Sequence, residues 1–212
     1  MEGTEEHLKS IREIRTLMER NARYTSTSGL AGVIAGMTAL IGVAALHIAF
    51  DIPLLSGDWH ARVSRPGGGA DTGFIRFLLV DAALMLGAAL LAEVLLAARK
   101  AKRHALPLWD AAARRFVMEL SLPVFAGGVL CLSRITAGDV EMIPSISMTL
   151  YGIALVHAGR MALPEVRALG AGMMAGGLAA AFLPGYGLLL WATGFGILHI
   201  AYGAVIHFKH DR

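Results

Sequence analysis

Long apolar stretches, separated by short polar ones, dominate this sequence from residue 29 onward. The longest covers residues 168–208, contains no Asp, Glu, Lys or Arg, and is interrupted only by a Pro-Gly-Tyr-Gly turn at residues 184–187. An α-helix needs about 20 apolar residues to cross a hydrocarbon core about 30 Å thick. The stretch therefore predicts two membrane-spanning helices joined by a tight turn, because a pair of long soluble helices would usually keep a polar stripe.

Four further apolar stretches, each about as long as one half of this hairpin, precede it. They cover residues 30–50, 74–98, 113–132 and 142–159. Together with the hairpin they predict an all-α, polytopic membrane protein in which six transmembrane helices form one domain over residues 29–212. Glycine pairs at four-residue spacing, Gly32/Gly36 and Gly172/Gly176, predict close helix contacts, either within one chain or between two.

The beginning of the chain has a different pattern, which is typical of an amphipathic helix outside the membrane. Apolar residues recur there at helical spacing, namely Leu8, Ile11, Ile14, Leu17 and Met18. The basic residues of the segment lie off this stripe, so residues 4–24 can rest on an anionic leaflet, bind a partner protein or pack on their own bundle. We assign residues 1–28 to a cytoplasmic amphipathic helix, since their acidic start is unlike a signal peptide.

Composition agrees with a membrane protein. Hydrophobic residues make up 56% of the chain and charged residues 17%, which is far more apolar than an ordinary soluble domain. The single cysteine, Cys131, excludes a disulfide within the chain and a thiolate metal motif. The net charge of +3 does not indicate a nucleic-acid partner, because Lys and Arg in a membrane protein usually report topology.

Lys and Arg concentrate on one side of the predicted spans. Fifteen of the nineteen fall in the N-terminal segment, residues 99–115, residues 160–167 and the C-terminal tail, against three on the other side and one, Arg76, within a span. Retained cytoplasmic segments are enriched in Lys and Arg. We therefore expect a multi-pass protein of the inner (cytoplasmic) membrane with both termini in the cytoplasm.

Ionisable side chains within the predicted spans are candidates for a functional site, because charge at membrane depth is costly. The candidates are Asp81, Glu93, Glu119, His157 and His199. Glu93 lies near a boundary and can extend toward the interface, and Glu119 follows Arg115 by one helical turn and can pair with it. Asp81 lies too deep for its short side chain to reach the interface, so it needs a partner, a proton or water.

The two histidines permit two interpretations. His157 and His199 fall in the cytoplasmic halves of the fourth and sixth spans, where they can face each other as axial haem ligands or join Glu93 and Glu119 in a metal site. No ligand motif of fixed spacing supports this hypothesis. A lone histidine in a helix more often bonds to a neighbouring carbonyl or hydroxyl, so we expect no cofactor and a packing or cavity-lining role for both.

Three stretches resemble an uncharacterised family of small bacterial inner-membrane proteins. They are residues 11–20 (IREIRTLMER), residues 28–36 (SGLAGVIAG) and residues 194–203 (GFGILHIAYG). The resemblance implies a six-span bundle and no assigned activity. It carries over no catalytic or binding residue, since a shared fold does not supply a function.

Three functional hypotheses follow. The first, which the sequence favours, is a non-enzymatic sensory, structural or partner-binding membrane component. Its residues 4–24 and its basic loop bind a cytoplasmic protein or the leaflet surface. The second is a small-solute or proton-coupled transporter that uses Asp81, with His157 and His199 lining the path. The third is a haem- or metal-binding redox protein. An enzyme of the soluble type is not expected, because no nucleophile with a base, phosphate-binding glycine loop or paired catalytic carboxylates occur at usable spacing.

Overall fold

The computed structural model describes residues 11, 28–54, 59, 63, 69–103 and 108–210, which contain six long helices and no strand. The helices are α1 (Gly29–Phe50), α2 (Thr72–Arg103), α3 (Ala111–Thr136), α4 (Ile143–Ala158), α5 (Pro164–Phe182) and α6 (Pro184–His210). The prediction of an all-α protein is confirmed for these residues. Apart from residue 11, the predicted amphipathic helix at residues 4–24 lies outside the described part of the chain and stays a prediction.

Four of the helices, α1, α2, α3 and α6, are long and apolar enough to cross a membrane. Helix α4 has 16 residues, which gives it a length of about 24 Å at 1.5 Å per residue, less than the thickness of a hydrocarbon core. Helix α5 has 19 residues and carries Glu165 and Arg167 in its first turn. Length and composition therefore support four spans within a bundle of six helices.

The helices pack as antiparallel neighbours in an order that differs from the chain order. Helix α2 contacts α1, α1 contacts α6, α6 contacts α5, α5 contacts α4, and α4 contacts α3. Helix α6 also contacts α4. Helices α1 and α6, which are far apart in the sequence, therefore lie side by side. Helices α2 and α3 lie on the two flanks of the bundle.

Helices α1 and α6 approach each other at backbone contact distance. A Cβ atom on Gly203 would lie 2.5 Å from the carbonyl oxygen of Gly29 and 2.5 Å from the nitrogen of Val33, and one on Gly36 would lie 2.6 Å from the carbonyl oxygen of Gly196. Only glycine fits at such a crossing. The predicted glycine pair of α1 therefore packs helices within one chain.

Helices α4 and α5 form a second crossing of the same kind. A Cβ atom on Gly152 would lie 2.7 Å from the carbonyl oxygen of Gly170, and Gly177 likewise lies against the backbone of α4. The predicted pair Gly172/Gly176 instead faces side chains of α6 and α4. The predicted pair on α5 therefore also packs helices within one chain, whereas the backbone contacts are made by Gly170 and Gly177, which the sequence did not single out.

One end of the bundle holds most of the described positive charge. The start of α1 and the end of α6 meet there, because Gly29 packs against the backbone of His207. Antiparallel packing brings the basic residues that end α2, begin α3 and join α4 to α5 to the same end: Arg99, Lys100, Lys102, Arg103, Arg114, Arg115, Arg160 and Arg167.

An ion-pair cluster joins α5 to α6 at this basic end. The Nζ atom of Lys209 lies 2.5 Å from Oε1 of Glu165, and Nε2 of His210 lies 3.5 Å from the same oxygen. Burial by itself would raise the pKa of the Glu165 carboxyl, but the hydrogen bonds from Lys209 and His210 hold this pKa below its ordinary value. The cluster fixes the last turn of α6 to the first turn of α5.

At the opposite end of the bundle, the described residues between α1 and α2 contact other connecting segments. Trp59, which is buried, donates a hydrogen bond of 3.0 Å from Nε1 to the carbonyl oxygen of Pro184. The nitrogen of Ala70 donates to the carbonyl oxygen of Gly138 at 3.0 Å. Trp59 thus contacts the α5–α6 turn, and Ala70 contacts the α3–α4 turn.

Helices α2 and α3 expose large apolar side chains on the outside of the bundle. Leu84 is 68% exposed on α2, and Leu122 and Phe125 are 74% and 71% exposed on α3. Apolar surface of this extent is unfavourable in water but is suited to contact with lipid chains. The described helices therefore have the surface of a membrane-embedded protein.

The glycine crossing between α1 and α6 can be tested with a matched pair of substitutions. We expect Gly203→Ala to lower the free energy of unfolding by about 1–3 kcal/mol, because its Cβ atom would collide with the backbone of α1. Gly87→Ala on α2, where nothing lies within 4 Å of the added atom, is expected to be neutral or slightly stabilising. The measurement is unfolding in mixed detergent micelles, and equal losses in the two variants would contradict the crossing.

Candidate functional site

Asp81 is buried at the contact between α2 and α1. It is the tenth residue of α2, about 13 Å along the helix from its first residue. Its relative exposure is only 9%, and a Cβ atom on Gly42 of α1 would lie 2.9 Å from its Oδ2 atom. Among the residues that the structure describes, none forms a hydrogen bond with this buried oxygen.

Helix α1 supplies no charge to neutralise Asp81. Its sequence contains no Asp, Glu, Lys or Arg, and its hydroxyl-bearing Thr38 donates to the carbonyl oxygen of Ala35 at 2.9 Å. Its one histidine, His47, bonds through Nδ1 to the carbonyl oxygen of Ile52 at 2.6 Å. An ionised carboxylate without a partner is costly in apolar surroundings. The arrangement can therefore bind a proton or another cation at Asp81.

His199 forms a second buried polar group, on α6, and both of its ring nitrogens are engaged. Nδ1 lies 2.9 Å from the carbonyl oxygen of Gly194, and Nε2 lies 3.3 Å from the hydroxyl oxygen of Tyr151 on α4. A carbonyl oxygen can only accept, so Nδ1 carries the hydrogen. In the neutral imidazole Nε2 then accepts from the Tyr151 hydroxyl, which fixes the tautomer.

The local shape of α6 explains the His199 contact to Gly194. Residues Ala192–Leu198 form a π-helical segment inside the longer helix. Such segments disturb the regular backbone ladder and are frequent at functional sites. Here the carbonyl oxygen five residues before His199 accepts from its side chain. The ring of His199 also stacks on those of Tyr151 and Phe195, with a centroid separation of 5.6 Å in each case.

Glu93 of α2 lies near this histidine group. Its side chain is partly buried, and its carboxyl group is close enough to interact electrostatically with the Tyr151 hydroxyl. Glu93 follows Asp81 by twelve residues, which corresponds to about 18 Å along the helix axis. The bundle therefore holds two polar groups at different depths, one at Asp81 and one around His199.

The structure brings together only some of the residues that the sequence singled out. His199 meets Tyr151, and the Glu93 carboxyl lies within electrostatic range of the Tyr151 hydroxyl. Glu119 is exposed on α3 and His157 is exposed on α4. The side chain that meets His199 from α4 is therefore Tyr151 and not His157, which the haem hypothesis would place there.

This geometry bears on the haem and metal hypotheses. Both nitrogens of His199 already have hydrogen-bonding partners, and His157 is on the exposed surface of its helix. In the described ranges, no three His, Cys, Asp or Glu residues are grouped so that they could hold a metal ion. Within the described residues, His157 and His199 therefore do not form a facing pair for axial ligation.

Sequence reasoning missed two residues that shape these groups. Gly42 makes room for the Asp81 carboxyl on α1, and Tyr151 supplies the hydroxyl that meets His199. Tyr151 is the one tyrosine in the fourth apolar stretch, which was an available signal. Gly42 carried no signal, because its role depends on which helix α2 contacts.

Comparisons with known proteins add no relative, since no family model, no curated protein and no solved structure matches this chain. The resemblance to small bacterial inner-membrane proteins therefore stays a prediction.

The hydrogen bond between Tyr151 and His199 can be tested by removing one hydroxyl. We expect Tyr151→Phe to lower the free energy of unfolding by about 1–2 kcal/mol, because it leaves a buried imidazole nitrogen without its donor. The control is Tyr186→Phe, which removes a hydroxyl from a side chain that is 41% exposed. Unfolding in mixed micelles measures the free energy of unfolding of both variants. A Tyr151→Phe variant as stable as the control would contradict the hydrogen bond between Tyr151 and His199.

Proposed function

We propose that this chain is an integral inner-membrane protein with six spans and both termini in the cytoplasm. The exposed apolar faces of α2 and α3 support insertion in a bilayer. The proposal places the basic end of the bundle in the cytoplasm, because positive residues are retained there. Helices α4 and α5 complete the six spans, and their glycine crossing lets them pack as closely as α1 and α6 do.

Cysteine labelling distinguishes six spans from four. The background is Cys131→Ser, which removes the one native thiol. Three single-cysteine variants follow, each at a residue that is exposed at one end of the bundle: Ala137→Cys after α3, Arg103→Cys at the end of α2, and Arg160→Cys between α4 and α5. In a six-span protein, Arg160 lies on the cytoplasmic side with Arg103.

With an impermeant maleimide on intact cells, we expect label at position 137 only, and label at positions 103 and 160 only after the cells are opened. Label at position 160 on intact cells would place the α4–α5 turn outside and support four spans. Expression level of each variant is the control for the absence of label.

We further infer that the bundle works as an ion-coupled transporter of a small solute, with Asp81 binding the coupling ion. The observation that supports this function is the buried Oδ2 atom of Asp81, which has no hydrogen-bonding partner among the described residues. Ionisable groups kept inside a membrane at such cost usually bind or transfer an ion. A purely structural carboxyl would be expected to have a fixed hydrogen-bonding partner, as each nitrogen atom of His199 does.

The transport function predicts that one isosteric substitution, Asp81→Asn, abolishes the solute-driven current. In proteoliposomes on a solid-supported membrane, concentration jumps across a panel of amino acids, sugars and organic acids should give a current with at least one solute. We expect Asp81→Asn to abolish this current and Glu119→Gln, at an exposed carboxyl, to retain it. Persistence of the current in Asp81→Asn, or its absence for wild-type protein across the panel, would contradict the proposal.

A second candidate is the partner-binding membrane component that the sequence favours. It depends on the amphipathic pattern of residues 4–24, which lie outside the described part of the chain apart from residue 11. The two functions are compatible, because the first uses the interior of the bundle and the second uses a segment before α1.

A further inference from the structure

We propose that the ion bound at Asp81 is a proton, and that the space between α1 and α2 is built to hold a neutral carboxylic acid. This inference rests on the proposed transport function and names its coupling ion. It depends on three features of the Asp81 surroundings, which are the available ligands, the nearby charges and the shape of the α1–α2 contact.

The available ligands do not suit a metal cation. Hard cations such as Na⁺ or Ca²⁺ bind several oxygen atoms at once. The groups that meet at Gly42 beside Oδ2 of Asp81 include the Sδ and Cε atoms of Met85, one helical turn further along α2. A thioether sulfur is a weak acceptor and a poor ligand for a hard cation. A single carboxyl oxygen beside apolar groups can hold a proton without further ligands.

The nearby charges also favour a proton. The helix against which α2 mainly packs is α1, whose one titratable side chain, His47, uses Nδ1 for the carbonyl oxygen of Ile52. On α2 itself, Arg76 is exposed and Glu93 lies about 18 Å away along the axis. No fixed positive charge in these two helices therefore faces the Asp81 carboxyl. The negative charge of this carboxyl is removed when it binds a proton.

The shape of the contact keeps the carboxyl next to the α1 backbone. Gly42 is buried, and its missing side chain leaves the space that Oδ2 of Asp81 and the end of Met85 occupy. Loss of the proton places a negative charge in this apolar contact and favours separation of the helices or entry of water. Binding and release of a proton at Asp81 therefore change how tightly α2 packs on α1.

Dicyclohexylcarbodiimide tests for a protonated carboxyl in apolar surroundings. The acid proton moves to one carbodiimide nitrogen, a carboxyl oxygen bonds to the central carbon, and the acyl group then shifts to a nitrogen to give a stable N-acylurea. No atom leaves in this addition, so the modified peptide gains the full mass of the reagent. The sample is the full-length protein in nanodiscs, and the readout is the modified fraction of the peptide that contains residue 81.

We expect Asp81 to be the carboxyl that reacts fastest, at a rate that falls about tenfold per pH unit above the titration midpoint. Excess NaCl or KCl should not change the rate. Asp81→Asn should remove the modification, and Glu119→Gln should leave it unchanged. Gly42→Ala should slow it, because the added Cβ atom would lie 2.9 Å from Oδ2.

Three results for the wild-type protein would overturn the inference without relying on any variant. They are an unmodified Asp81 at every pH, a rate that does not depend on pH, and protection of Asp81 by Na⁺. Protection by Na⁺ would leave the transport function intact and change only the coupling ion. Proton-dependent modification without any solute-driven current would support the proton site and contradict transport. Failure of the proton assignment and failure of the transport function are therefore distinguishable.

Discussion

Close approach of helix backbones is the constraint on which this structure depends. In a bilayer, burying apolar side chains between helices gains little, because lipid chains are equally apolar, so association relies on tight packing and hydrogen bonds. The bundle supplies tight packing at two glycine crossings, between α1 and α6 and between α4 and α5. Contacts of α6 with α5 and α4 join the two pairs into a central group of four helices. Helices α2 and α3 then pack on the flanks, each mainly against one neighbour.

The same packing determines where polar groups are buried. Because α2 contacts the small residues of α1, Asp81 lies in a narrow contact next to Gly42, beside the end of the Met85 side chain. His199 lies on the helix that crosses both α1 and α4, and its ring therefore reaches Tyr151. Neither group is an isolated feature of its own helix, since each is formed by a pair of helices.

The two groups differ in how completely their hydrogen bonds are satisfied. His199 has a partner for each ring nitrogen and two stacked aromatic neighbours, an arrangement that holds the ring in one orientation. Asp81 is equally buried, yet its Oδ2 atom has no partner within the described residues. A satisfied group stabilises a fold, whereas an unsatisfied ionisable group in a membrane is a place where an ion can bind. The proposed function therefore uses Asp81 and gives His199 a structural role.

The sequence by itself determined the class of the fold. Runs of about 20 apolar residues predict helices whatever their neighbours are, because every backbone group must be paired inside a helix in lipid. The sequence also singled out Asp81, since its depth within a span follows from counting residues. Only the tertiary structure decided that Tyr151 rather than His157 meets His199, and that Gly42 faces Asp81. These contacts depend on which helices are neighbours and how each is rotated, and apolar helices without a polar stripe carry little information about either.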